Sequence, residues 1–183
     1  LALFLIFCVI GFTFRTYSQP FLLLLLIPFS LTTVAWGHLV HGFPVNVISL
    51  LGVIALVGIL VNDGLVLISK FNSNLRAGKS YDESLFGAGK ERFRAIFLTS
   101  ITTMAGLAPI IFEKSFQAQL LKPMAISIAY GIGYATFLTL ILLPILLSLT
   151  NTFKLNFVWL RSGKKLDKRE VEAPVIELKR EKK

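Results

Sequence analysis

Five long apolar runs, nearly bare of charge, leave this chain few folds to choose from. They cover Leu1 to Phe14, Phe21 to Val40, Val45 to about Ser69, Ala95 to Phe112 and Met124 to Leu149. A bilayer's hydrocarbon core is about 30 Å thick, and a helix needs roughly 20 apolar residues to cross it. Lipid offers the backbone no hydrogen-bond partner, so each run must be helical. Of the 183 residues, 55% are hydrophobic and 16% are charged, against the even balance of soluble domains. The expected fold class is an all-α polytopic membrane protein. Pro28 and Pro144 fall inside runs, where neighbouring helices can satisfy the carbonyl that each proline frees. The first run, 14 residues, is short of a full crossing, starts without Met and has no basic leader. It reads as a helix cut by a fragment boundary.

The loops set the orientation, because Lys and Arg favour the cytoplasmic side. Arg15 follows the first run, and the loop His38 to Pro44 holds no Lys or Arg. The segment Lys70 to Arg94 holds six, the loop Glu113 to Pro123 two, and the chain after Thr150 ten. The alternation places the C-terminus in the cytoplasm. The net charge of +9 is gathered on this side of the membrane and argues for no nucleic-acid partner. Ser80-Tyr81-Asp82-Glu83 is a capping-box pattern and opens an expected surface helix over about 80–93. The mixed-charge tail, 152–183, is expected to be disordered or attached loosely to anionic lipid.

Few residues carry chemistry. One cysteine and two histidines exclude a disulfide framework and leave little for a metal cage. No phosphate loop or nucleophile elbow occurs, so neither an enzyme site nor a cofactor is expected. Asn62 and Asp63 are the strongly polar side chains deep in the third run. Asp63 lies seven residues before Lys70, about 10 Å inside the polar boundary. A carboxylate there is costly unless paired, protonated or hydrated, so it marks a functional site unless the helix ends early. Gly52, Ala55, Gly58 and Asn62 read as one small-residue stripe for close packing, with a polar group in it. The fourth run opens with Thr99, Ser100, Thr102 and Thr103, with Gly106 on the face of Thr99 and Thr103. These hydroxyls bond back to their own helix, or Thr99 faces Asn62 and Asp63 and helps carry protons or water. Ala125, Ala129 and Gly133 form a packing ridge. His38 and His41 read as exposed loop residues.

Several of these segments resemble a known family. Val45-Asn46-Val47 leading into Gly58-Ile59-Leu60-Val61-Asn62-Asp63-Gly64 is similar to the tenth helix of resistance-nodulation-division efflux permeases of the acriflavin-resistance type. Arg92-Phe93-Arg94-Ala95 through Thr99-Ser100, with Thr102 to Pro109, resembles their eleventh helix. Gln117-Ala118-Gln119, Pro123 to Ser127 and Leu143-Pro144 resemble the twelfth. The resemblance spans about Leu1 to Asn151 and implies the last five of twelve helices, the first truncated. It implies a proton-driven exporter of drugs or other small molecules in the bacterial inner membrane, powered by the proton gradient. Its partners would be the remaining helices and periplasmic domains, two further copies in a homotrimer, a periplasmic adaptor and an outer-membrane channel. The family's relay joins carboxylates on the fourth helix to a lysine on the tenth and a threonine on the eleventh. The threonine maps onto Thr99 and a basic residue onto Arg92. The lysine position maps onto Asn62, a departure that leaves Asp63 as the titratable neighbour. Alternatives are a metal-ion or lipid exporter of the same superfamily, a non-transporting assembly or translocation subunit, and a gene remnant.

Overall fold

The computed structural model describes residues 2–162 and 167–181. Its helices are α1 (Ala2–Phe14), α2 (Ser18–His41), α3 (Val47–Arg76), α4 (Tyr81–Phe112), α5 (Phe116–Phe137), α6 (Leu143–Ser162) and α7 (Ala173–Glu181). A π-helical segment, Leu138–Leu142, joins α5 to α6. α2, α3, α4 and the joined α5–α6 are each long and apolar enough to cross a membrane, and α1 is shorter. Among the described residues there is no strand, so the chain is an all-α membrane helix bundle.

Local chemistry starts the helices. The Asn46 side chain accepts from the Ser49 N–H at 2.9 Å, and the Asn46 N–H donates to Ser49 Oγ at 3.2 Å. The same reciprocal box opens α4: Glu83 N–H reaches Ser80 Oγ at 3.3 Å and Ser80 N–H reaches Glu83 at 3.1 Å. Each box satisfies first-turn amides that have no partner within the helix. Pro144 lacks the N–H that an α-turn would send to residue 140. The π segment sits immediately before it, and the Leu143 N–H bonds the Leu138 carbonyl instead.

Three boundaries differ from the sequence reading. α3 continues to Arg76, seven residues past Ser69. The surface helix over about 80–93 and the fourth crossing are one 32-residue helix. Nothing between Tyr81 and Ala95 stops a helix; Gly87 instead lets α3 approach, since a Cβ there would meet Asn74 Nδ2 at 3.3 Å. The Lys70–Glu91 ion pair, at 2.6 Å, then binds α4 to the C-terminal part of α3. The fifth crossing starts at Phe116, where Ser115 caps it, and not at Met124.

The tail is folded where it is described, contrary to the expected disorder. Residues 152–162 continue α6, and α7 docks against α3. Its acids and bases find partners. Glu172, 3% exposed, accepts from Asn151 at 2.7 Å and Lys154 at 3.2 Å. Glu177 pairs with Arg76 at 3.0 Å and Arg15 at 3.5 Å, and Arg169 donates to the Leu75 carbonyl at 3.1 Å. The parts of the expected tail at 163–166 and 182–183, and Leu1 of the first run, lie outside the described residues.

The core lies where α2, α3 and α5–α6 meet, with Leu23, Leu26, Leu56, Leu60, Ile126 and Leu143 fully buried. Small residues bring the backbones together. A Cβ on Gly52 would lie 2.7 Å from the Met124 carbonyl and 2.9 Å from Ser127 Cβ. Gly64 receives Leu23, and Gly131 receives Leu56. Polar pairs cross the same interfaces: Gln19 and Asn72 exchange two hydrogen bonds, 2.9 and 3.0 Å, and both are buried.

Two outcomes follow for the full-length protein in detergent. Gly52→Val should cost about 1–3 kcal/mol by overpacking, because the groups it meets belong largely to the α5 backbone; the unfolding midpoint measures this. Gln19→Leu should cost about 1–3 kcal/mol by stranding Asn72, and adding Asn72→Leu should recover most of the loss in a double-mutant cycle.

Candidate functional site

α3 and α4 pack side by side and carry all the expected relay residues. The capping box at Asn46 starts α3, and the Lys70–Glu91 pair anchors its C-terminal part. Between them, two turns from Lys70, lie Asn62 and Asp63. Asn62 is exposed and Asp63 half-buried; among the described residues neither makes a hydrogen bond or ion pair. Asp63 neighbours Gly64, the point at which α2 reaches α3 through Leu23.

Thr99 is exposed, and its hydroxyl donates to the Ala95 carbonyl of its own helix at 2.9 Å. Thr103 does the same to the Thr99 carbonyl at 2.8 Å. Back-bonding satisfies the hydroxyl hydrogen but leaves oxygen lone pairs open to an incoming donor. Arg92 is half-buried, and its Nε is buried without a partner. The chain therefore brings Asn62, Asp63, Thr99 and Arg92 onto two adjacent helices without joining them by hydrogen bonds.

The packing residues separate in an informative way. Gly52, Ala125 and Ala129 are buried in the α3–α5 region, and a Cβ on Gly133 would meet Met104 Sδ at 3.2 Å. Gly58 and Gly106 pack against nothing: a Cβ on either would meet no atom within 4 Å. The expected single stripe on α3 is thus two. Gly58 and Asn62 lie about 120° and 80° round the helix from Gly52, so they turn away from α5. On the neighbouring helix Thr99, Thr102 and Gly106 are exposed too.

The histidines correct the sequence reading. His38 is 3% exposed in the last turn of α2 and bonds Ser127 Oγ at 2.9 Å and the Phe43 carbonyl at 3.2 Å. His41, one turn on, bonds the Tyr130 hydroxyl at 3.1 Å. On α5 their partners are also three residues apart. Neither this lock nor the Gln19–Asn72 pair had a local signal, since the partners are 89 and 53 positions apart. Among the described residues no cluster of three His, Cys, Asp or Glu side chains could hold a metal ion.

Comparison with known proteins agrees with this geometry. The profile of the AcrB/AcrD/AcrF family matches residues 1–151. The swarming motility protein SwrC of Bacillus subtilis is 29% identical over 84% of the chain and 15% of its own length. The cobalt-zinc-cadmium resistance protein CzcA of Cupriavidus metallidurans is 30% identical over 82% of the chain and 14% of its own. The multidrug resistance protein MdtC of Serratia proteamaculans is 26% identical over 88% and 16%. A crystal structure of a heavy metal efflux pump superposes with a TM-score of 0.74 at 29% identity, over 82% of this chain and 15% of the pump. The chain thus spans about a seventh of the length of these relatives. With its helix order, its α3 and α4 motifs and a match over most of its length, the chain belongs to the AcrB/AcrD/AcrF family of resistance-nodulation-division permeases.

Proposed function

We propose that this chain is the C-terminal membrane part of a proton-driven permease that exports drugs or other small molecules across the bacterial inner membrane. The observation that carries this reading is the bare polar surface of α3 and α4. Asn62, Asp63 and Thr99 lie at membrane depth with no partner from another helix among the described residues. Polar side chains at that depth face protein or a watered cavity, since lipid solvates them poorly. The bare positions at Gly58 and Gly106 beside them leave room for close helix approach. The other half of the permease is the partner of matching chemistry, and carboxylates on it would meet this surface. Asp63 then takes and releases protons, Thr99 lends a hydroxyl to the path, and Arg92 holds the cytoplasmic side. Asn62, where the family's relay has lysine, contributes hydrogen bonds and no charge.

In this reading the permease is a trimer with large periplasmic domains, a periplasmic adaptor and an outer-membrane channel, and its C-terminus is cytoplasmic. The proton gradient is the energy source and no cofactor is used. A metal-ion cargo is the second reading, favoured by the 30% identity to a cobalt-zinc-cadmium resistance protein and the likeness to a heavy metal efflux pump.

In inverted vesicles containing the full-length protein, Asp63→Asn at normal expression should reduce proton-coupled substrate uptake to background. Unchanged uptake overturns the role of Asp63. Running the wild-type assay with zinc or cobalt, and then with a cationic dye, decides the cargo class: the substrate that collapses the imposed proton gradient is the one carried.

A further inference from the structure

Beyond the relay surface, the opposite flank of α4 carries a second feature. A groove runs between α4 and the α5–α6 arm. It consists of two cavities, about 600 and 400 Å³, that share Leu140 and Ile141 in their walls. The deeper cavity is lined by Phe97, Ile101, Met104 and Phe137 and is almost wholly apolar. Phe93 and Phe97 stack along it with ring centroids 5.4 Å apart. The shallower cavity is walled by Leu85, Phe86, Pro144 and Ile145, with Asp82 and Lys90 at its rim.

The two ends differ in charge. Asp82 is paired with Lys168 at 3.2 Å. Lys90 is exposed and makes no ion pair among the described residues; Arg94, one turn deeper on the same face of α4, is exposed and equally unpaired. The neighbouring Lys70–Glu91 ion pair marks this level as the cytoplasmic boundary of the bilayer. From Lys90 to Met104 the groove follows 14 residues of helix, about 21 Å. That is roughly one leaflet's hydrocarbon, half of about 30 Å, plus a headgroup layer.

We propose that this groove binds one anionic phospholipid of the cytoplasmic leaflet, its phosphate between Lys90 and Arg94 and an acyl chain along Phe97, Ile141 and Met104. The fit is chemical at both ends: two unpaired cations at headgroup level, and an apolar channel that opens below them. In the tail, by contrast, Lys154, Lys168 and Lys179 pair with acids. The assignment rests on the membrane reading and not on proton coupling or cargo.

The test uses the full-length protein in phosphatidylcholine vesicles, with Ile141→Cys carrying a fluorophore and other cysteines replaced by serine. Brominated phosphatidylglycerol should associate with the labelled site about fivefold or more strongly than brominated phosphatidylcholine. Lys90→Gln with Arg94→Gln should bring that ratio to one while quenching by phosphatidylcholine persists. Lys90→Arg with Arg94→Lys should keep the preference, which separates charge from folding. Equal quenching by both lipids in the parent, a preference that survives loss of both cations, or a fluorophore shielded from either lipid by protein overturns the proposal. Transport activity has no bearing on the outcome.

Discussion

Hydrocarbon offers the backbone no water, and this constraint governs most of what the chain does. Every N–H and C=O at membrane depth must be paired inside its own helix. The runs are helices for that reason, and prolines are admitted only where the ladder can adjust. The π segment before Pro144 is such an adjustment: five residues take up the missing donor without breaking the arm from Phe116 to Leu160. Helix association then falls to close packing and side-chain hydrogen bonds, since apolar side chains gain little by leaving lipid. The contact at Gly52 against the α5 backbone is of the first kind. The Gln19–Asn72 and His38–Ser127 bonds are of the second.

Two populations of polar side chains result. One is consumed by the fold: Gln19, Asn72, His38 and Ser127 are buried and mutually satisfied, as are Ser100 and Thr136 across α4 and α5. The other is left over: Asn62, Asp63 and Thr99 are on adjacent helices with no partner on another helix among the described residues. The division follows helix position. α5 satisfies His38 and His41 of α2 and Ser100 of α4, and α2 and α3 satisfy each other through Gln19 and Asn72. The strips of α3 and α4 that carry Asn62 and Thr99 turn away from α5, and a Cβ on Gly58 or Gly106 would meet no atom within 4 Å.

Charge is handled with the same economy at the end of the bundle where α7 docks. α7 does not lie free, because Glu172 and Glu177 find cations contributed by α6, α3 and the α1–α2 turn. Ion pairs between exposed groups are each worth little, but Glu172 is nearly fully buried and hydrogen-bonded by both Asn151 and Lys154. Among the described residues Lys90, on the rim of the apolar groove, and Arg94, one turn along α4, make no ion pair.

Much of this was legible from residue order alone. Apolar run length specified the long helices, and the Ser80–Glu83 box marked where α4 begins. The depth of Asp63 and the motifs around it carried the family resemblance. All of these depend on local chemistry or on one axis, the membrane normal, along which a run of residues can be measured. What faces what depends on rotation about each helix axis and on partners far away in sequence. Only the packed bundle could place His38 inside, split Gly52 from Gly58, and fold the tail against Arg76 and Asn151. A linear pattern records how deep a residue sits; the neighbour across the interface is set when the helices pack.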